Sequence, residues 1–285
     1  MRKRPPAHAG IFYPDTEGAL RTQIQQAFLN KLGPGTIPAV PGTMNESVVG
    51  LIVPHAGFMY SGSVAAHGYH RLASSGMVSS LVILGPNHTG MGSGVSTMTE
   101  GEWTTPLGEV EIDAELAREI VKASSIIDVE DEAHRSEHSI EVQLPFLQFI
   151  YPRRFRFVPI CMMLQDLETS LEVGEAVGRV AKKHGAAIIA SSDWTHYEPQ
   201  AIAEQKDKVA IHAALEMNEK MFQVEIESER VTACGYGPVT AMIHAAKLIG
   251  ADKASLLSYQ TSGDVTGETS SVVGYAAASF ERRSA

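Results

Sequence analysis

The chain has 285 residues, of which 44% are hydrophobic and 20% charged, and a formal net charge of −10. That length buries a sizeable core unaided, and two cysteines provide no disulfide framework. The acidic balance argues against nucleic-acid binding, and no apolar run has the length of a membrane span or the form of a signal peptide, so the expectation is a cytoplasmic protein.

Residues 1–14 are interrupted by Pro and Gly and lead to Asp15, a predicted N-cap. Leu20, Ile24, Phe28 and Leu32 then mark one stripe at helical spacing, closed by Gly33-Pro34. A Pro/Gly connector over 33–46 precedes Val48 to Val53, a branched apolar run suited to a strand buried on both faces. Pro54 stops that strand, and His55 follows. Ser61 to Leu72 is a predicted crossover helix to a second strand, Leu81 to Leu84, which runs into Gly85-Pro86-Asn87-His88. Such a strand–helix–strand unit makes the sheet parallel there.

Residues 90–112, rich in Gly, Ser and Thr, are predicted as a long loop with a small β excursion, serving as a lid or wall. Asp113 caps a helix to Ala123, and Glu137 to Tyr151 is amphipathic, kinked or restarted at Pro145. Phe155 to Cys161 is a strand, Leu167 to His184 a helix closed by Gly185, and Ala186 to Ser191 a third strand that runs into Ser192-Asp193-Trp194-Thr195-His196. A long helix over Ala201 to Met221, a shorter one through Glu229, and a helix over Val239 to Leu248 follow. The last opens on the glycine turn Cys234-Gly235-Tyr236-Gly237-Pro238. Strands at Ala254 to Tyr259 and Ser271 to Ala278, separated by a loop from Thr261 to Asp264, finish the sheet. The expected architecture is a single α/β domain over residues 1–285, with a mixed, largely parallel central sheet flanked by helices.

Three strands each deliver a histidine past their carboxyl ends, the edge where open α/β sheets bind ligands. His55, His88 and Cys234 are the leading metal candidates. Two imidazoles and a thiolate suit iron, copper or zinc, and three ligands leave a position open. Cys234 at a helix N-terminus is placed to favour the thiolate. A histidine after a strand is also an ordinary hydrogen-bonded loop residue, and a solitary cysteine an inert buried thiol. Asp193 and His196 form an acid/base pair, or else a turn cap and a solvated imidazole. His134-Arg135-Ser136-Glu137-His138 matches the H-x-x-E-H pattern of inverted zinc peptidases, a short match that also arises by chance in a chain with eleven histidines. His138 and Glu141 are candidate pocket-lining residues, and Tyr60, Trp103 and Tyr197 are candidate walls for a planar or aromatic ligand, with ordinary packing as the alternative.

Taken together, AGIFYP, VPHAGFMYSG, LGPNH, WTTPLG, EHSIEVQLPFLQ, SSDWTHYE, ACGYGP and SSVVGYAA closely resemble the Memo-like family, whose microbial members are called AmmeMemoRadiSam system protein B. The resemblance spans nearly the whole chain and implies a fold similar to class III extradiol dioxygenases, which are non-haem iron enzymes. It places metal ligands on His55, His88 and Cys234 and pocket residues on Asp193 and His196, with His196 matching the acid/base histidine of the dioxygenases. A cysteine stands where those enzymes have a carboxylate, so dioxygenase activity does not follow from the fold. Three functions follow as expectations: an iron- or copper-dependent redox enzyme, a non-catalytic module binding a peptide or small molecule, and a zinc peptidase. The family name also implies radical-SAM and AMMECR1-like partner proteins.

Overall fold

The computed structural model describes residues 2–41, 48–151 and 155–282. The chain opens with β1 (Lys3–Arg4), then α1 (Glu17–Leu29), β2 (Val48–Val53), α2 (Phe58–Ser74) and β3 (Ser80–Pro86). Next come β4 (Val95–Thr97), β5 (Glu102–Thr105), β6 (Gly108–Ile112), α3 (Ala114–Ala123), β7 (Asp128–Val129) and α4 (Glu132–Arg135). A single 3-10 turn, Glu141–Gln143, leads into α5 (Leu144–Ile150), β8 (Arg156–Met162), α6 (Leu167–His184), β9 (Ala187–Ser191) and β10 (His196–Glu198). The last third holds α7 (Gln200–Leu215), α8 (Glu219–Ser228), α9 (Tyr236–Ile249), β11 (Lys253–Thr261), α10 (Ser262–Thr266) and β12 (Val272–Glu281).

The main path of the sheet runs β1-β5-β6-β8-β3-β9-β2-β12-β10, with β11 on β12 and β4 joining β8 to β7. Its centre, β6 through β2, is parallel, and β12 and β5 add antiparallel edges. The fully apolar centre requires cover on both faces. In β2, a Cβ on Gly50 would meet Met242 of α9, while Val53, on the opposite face by strand alternation, packs against Gly68 of α2. Register then fixes the site. Val53 lies beside Ser191 and Leu84 beside Ala190, so three strands end level and their following loops share one edge.

Several expectations require correction. Residues 90–112 hold three strands rather than a loop with one excursion: β4 joins the sheet, and β5 and β6 form a hairpin in which Trp103 pairs with Val110. The β-branched and aromatic residues of Glu102–Thr105 alternate in burial, the period that favours pairing over a free lid. Asp15 does not cap α1, which starts after Thr16 with no side-chain cap. Of the two alternatives for residues 137–151, the restart at Pro145 is the one observed: regular helix begins at Leu144 with Pro145 in its first turn, where a missing N–H costs nothing, after the 3-10 turn Glu141–Gln143. The long helix expected to Met221 is broken at the left-handed Met217, and Asn218 caps the new helix α8. Residues 42–46 of the predicted connector lie outside the described residues. Among the described residues, no helix is long and apolar enough to cross a membrane.

Candidate metal centre

His55 follows β2 directly, and its backbone N–H donates to Asp193 Oδ1 at 2.8 Å. Its ring is fixed from behind. The Ser191 hydroxyl donates to the Ser139 carbonyl at 2.7 Å and accepts from Gln143 Nε2 at 2.8 Å. Having spent its one proton, that hydroxyl can only accept from His55 Nδ1, 2.8 Å away. Gln143 is oriented in turn, because Nε2 also reaches the Pro54 carbonyl and Oε1 accepts from the Tyr69 hydroxyl. His55 therefore carries its proton on Nδ1 and presents a bare Nε2 forward. Burial first, and the neighbouring histidines second, push its pKa well down, so the ring is neutral, as a ligand must be.

His88 is oriented by a carboxylate. Glu137, almost fully buried, accepts from His88 Nδ1 at 2.9 Å and from the His88 backbone N–H at 2.6 Å. The N–H groups of His138 and Ser139 donate to the same carboxylate at 2.9 and 2.8 Å. Burial alone would raise the Glu137 pKa. The His88 hydrogen bond and the positive potential of His88 and His138 overcome it and hold the carboxyl at about 2. A carboxylate behind a ligating imidazole is the usual way a metal-binding tautomer is fixed.

Cys234 reaches the same point from the turn before α9. A Cβ on Gly235 would overlap the Ser191 carbonyl and Ser192, so only glycine allows this turn to approach β9. Cys234 Sγ lies 3.0 Å from His55 Nε2 and accepts from the Asp193 N–H at 3.3 Å. One ligand atom from each of His55, His88 and Cys234 lies within 4.8 Å of the others. The expectation that the helix terminus favours a thiolate is reversed for the metal-free protein: burial, then the Asp193 carboxylate, push the thiol pKa well up. With His55 Nε2 bare, the thiol proton lies between sulfur and nitrogen. A transition-metal cation fits this donor set, because it takes the place of that proton and offsets the buried charge of the thiolate.

Asp193 and His196 flank the cluster. Asp193 is buried, and desolvation raises its carboxyl to about 6 against the opposing hydrogen bond from His55 and the potential of His196. His196 donates from Nδ1 to the Thr232 carbonyl at 3.0 Å, leaving Nε2 as its free acceptor. Asp207, buried on α7, holds the loop between them by accepting from Thr195 N and Oγ1 at 3.0 and 2.5 Å.

The remaining predicted residues divide. His138 joins the cluster, stacked on His88 at 4.5 Å and edge-on to His55 at 5.3 Å, and burial above all lowers its pKa to about 4. Tyr60 and Tyr197 are exposed beside the site. Trp103 is fully buried beneath the Arg4 guanidinium, 4.0 Å from its ring, and forms no wall. Glu141 is also sealed away, paired with Arg4 at 2.6 Å and bonded by the Tyr13 hydroxyl and the N–H groups of Ala7 and His8. The peptidase pattern loses its basis: α4 ends at Arg135, and His134 lies buried against Ser96 and Trp103 while His138 faces the other histidines. His88, Glu137 and His138 form a second candidate group, but both Glu137 oxygens already accept hydrogen bonds. Sequence reasoning missed Ser191, Gln143, Asp207 and Thr232 as supports and saw Glu137 only as a peptidase base. Ser191, level with Val53 at a strand end, was findable; Gln143 carried no signal.

A profile described as "Memo-like protein" matches residues 4–279. The chain belongs to the Memo-like family. A MEMO1 family protein of Methanothermobacter thermautotrophicus is 53% identical over 275 residues, covering 96% of this chain and 98% of that one. Another, from Methanocaldococcus jannaschii, is 50% identical and covers 98% and 99%. Among solved structures, an uncharacterized Escherichia coli protein aligns with a TM-score of 0.53 at 14% identity, over 80% of this Memo-like chain and 98% of its own. That likeness concerns the fold alone.

Proposed function

We propose that this Memo-like protein is a mononuclear non-haem metal protein of redox type, with iron as the first choice of metal and copper as the alternative; zinc, which the same donors would hold, has no redox chemistry and supports only the binding reading below. The observation that carries the reading is the convergence of His55, His88 and Cys234 within 4.8 Å, with each imidazole fixed by a buried acceptor behind it. Iron or copper bound there supplies electron-transfer chemistry to a small ligand. The chain's own groups do the rest. His55, His88 and Cys234 hold the ion, His196 Nε2 accepts a proton from the ligand, and the Asp193 carboxyl holds the His55 backbone in place. Tyr60 and Tyr197 flank the approach.

The protein purified after expression in iron-supplemented medium should carry close to one equivalent of iron or copper, and His55→Ala should lose it while keeping the far-ultraviolet circular dichroism of the parent. Metal-free parent protein that cannot be loaded anaerobically would refute the proposal. Replacement of the dioxygenases' carboxylate by Cys234 favours a second reading, a metal-dependent binding module without turnover. Oxygen uptake with catechols by iron-loaded protein separates the two, since only the enzyme consumes oxygen.

A further inference from the structure

Tyr197 holds its backbone in the left-handed region, φ +61°, one of three non-glycine residues among those described to do so. Strain of this kind persists only when the flanks impose it. They do. His196 is tied to Thr232 through both its N–H and its ring. On the other side, Glu198 pairs with β12 and with Lys206. His196 lies opposite Val273 and Glu198 opposite Val272, so Tyr197 is the unpaired residue of a bulge.

Nothing gained by packing offsets that strain. The side chain is 78% exposed, and among the described residues its only ring contact is an edge-on one with His196, at 5.7 Å between centroids. The surroundings suit an uncharged visitor. Residues 5–14, 54–60, 87–94 and 232–235, which include the loops after β2 and β3 and the turn before α9, contain no Asp, Glu, Lys or Arg, and the charge of Glu198 beside Tyr197 is paired with Lys206. Ile11, Met59, Tyr60 and Met91 within them are exposed. Beneath this edge the buried Tyr275 clusters with Val64, Ala277 and Ala56.

We infer that Tyr197 is a specificity-determining residue. The bulge holds its ring up as a platform, on which the flat, uncharged face of a ligand stacks while its polar end reaches the metal-binding residues and His196. This selects for planar, apolar ligands over equally good chelators without a ring. The inference rests on the metal-site reading above.

The test uses two probes with the same iron-chelating head, benzohydroxamic and acetohydroxamic acid, titrated into iron-loaded full-length protein. The parent should prefer the ringed probe by roughly threefold to tenfold, the range expected of one aromatic contact. Tyr197→Gly should abolish that preference while iron content and acetohydroxamate affinity stay unchanged, and Tyr197→Phe should retain it. Because glycine relieves the left-handed strain, the unfolding midpoint of Tyr197→Gly should rise by about 2–4 °C. An equal preference in parent and Tyr197→Gly, or a midpoint that falls by several degrees, overturns the inference and leaves the metal site standing. A parent that binds no iron overturns both.

Discussion

Glu137→Gln probes the orientation of His88 most directly. Oε1 receives the His88 ring and the N–H groups of His138 and Ser139, and Oε2 receives the His88 N–H. A glutamine keeps the first three by placing its carbonyl at Oε1. Its amide then aims a donor at the His88 N–H, where the carboxylate accepted at 2.6 Å. One charge-assisted bond becomes two facing donors, and the others lose their charge, a cost of about 3 kcal/mol to folding. Metal affinity should fall by roughly 10- to 100-fold, because the bond behind His88 Nδ1 loses its charge and the two facing donors displace the loop that carries the ring. Urea unfolding of metal-free protein reads the first effect, and competition with a chromophoric chelator under anaerobic conditions reads the second. A variant destabilised as expected whose metal affinity stays within about twofold of the parent would refute the argument that the charged acceptor orients and strengthens His88, and reduce Glu137 to a loop brace.

Ser191→Ala removes the acceptor of His55 Nδ1 but no charge, so it should weaken metal binding less than Glu137→Gln in the same chelator assay; the reverse order would contradict the assignment of supports. Gly274→Ala should destabilise by about 3 kcal/mol or more in urea, because its Cβ would overlap the buried Asp207 carboxylate. Gly50→Ala should cost less, since the atom in its way, 2.6 Å from the new Cβ, is the flexible Met242 sulfur. His244 bonds Glu219 at 3.1 Å and Glu175 at 3.0 Å; the Glu219 bond raises its pKa above 6.5, burial opposes it, and Glu175 adds to the rise. Its folded pKa exceeds its unfolded one, so this stabilisation is complete below about pH 6.5 and is lost as pH rises through the raised value. Urea midpoints of parent and His244→Gln should therefore converge as pH rises above 6.5, and parallel profiles would show that the pairing contributes nothing.

The parallel centre was legible because Val48–Val53 and Leu81–Leu84 are continuous apolar runs that end at proline or glycine-proline, a pattern few other structures satisfy. The approach of His55 to His88 was legible for the same reason, since strand ends place side chains predictably when strands finish level, whereas Cys234 comes from the turn before α9. What escaped depends on contacts between distant segments. Trp103 looks like a pocket aromatic until Arg4, at the far end of the chain, covers its ring. Glu141 reads as a pocket carboxylate until the same arginine pairs with it. Glu137 has the chemistry of a water-activating base in its local pattern, and only the position of His88, 49 residues away, makes it an orienting acceptor. Periodicity carries no information about partners so remote.

The candidate site divides into a buried back and an exposed front. Behind His55 and His88, Ser191, Gln143, Tyr69 and Glu137 are buried and hydrogen-bonded to one another or to backbone. In front, the bulge fixes the Tyr197 backbone while its side chain stands in solvent. On the proposed reading, affinity for an ion would be set by the groups behind the imidazoles, and selection of an organic ligand by Tyr197, which does not touch the ion. Substitutions on the two sides, such as Glu137→Gln and Tyr197→Gly, should then combine additively, as expected of residues that share no partner. A double variant whose loss of metal affinity exceeded that of Glu137→Gln alone would mean that the exposed bulge also braces the metal ligands, and that His196 transmits strain from one to the other.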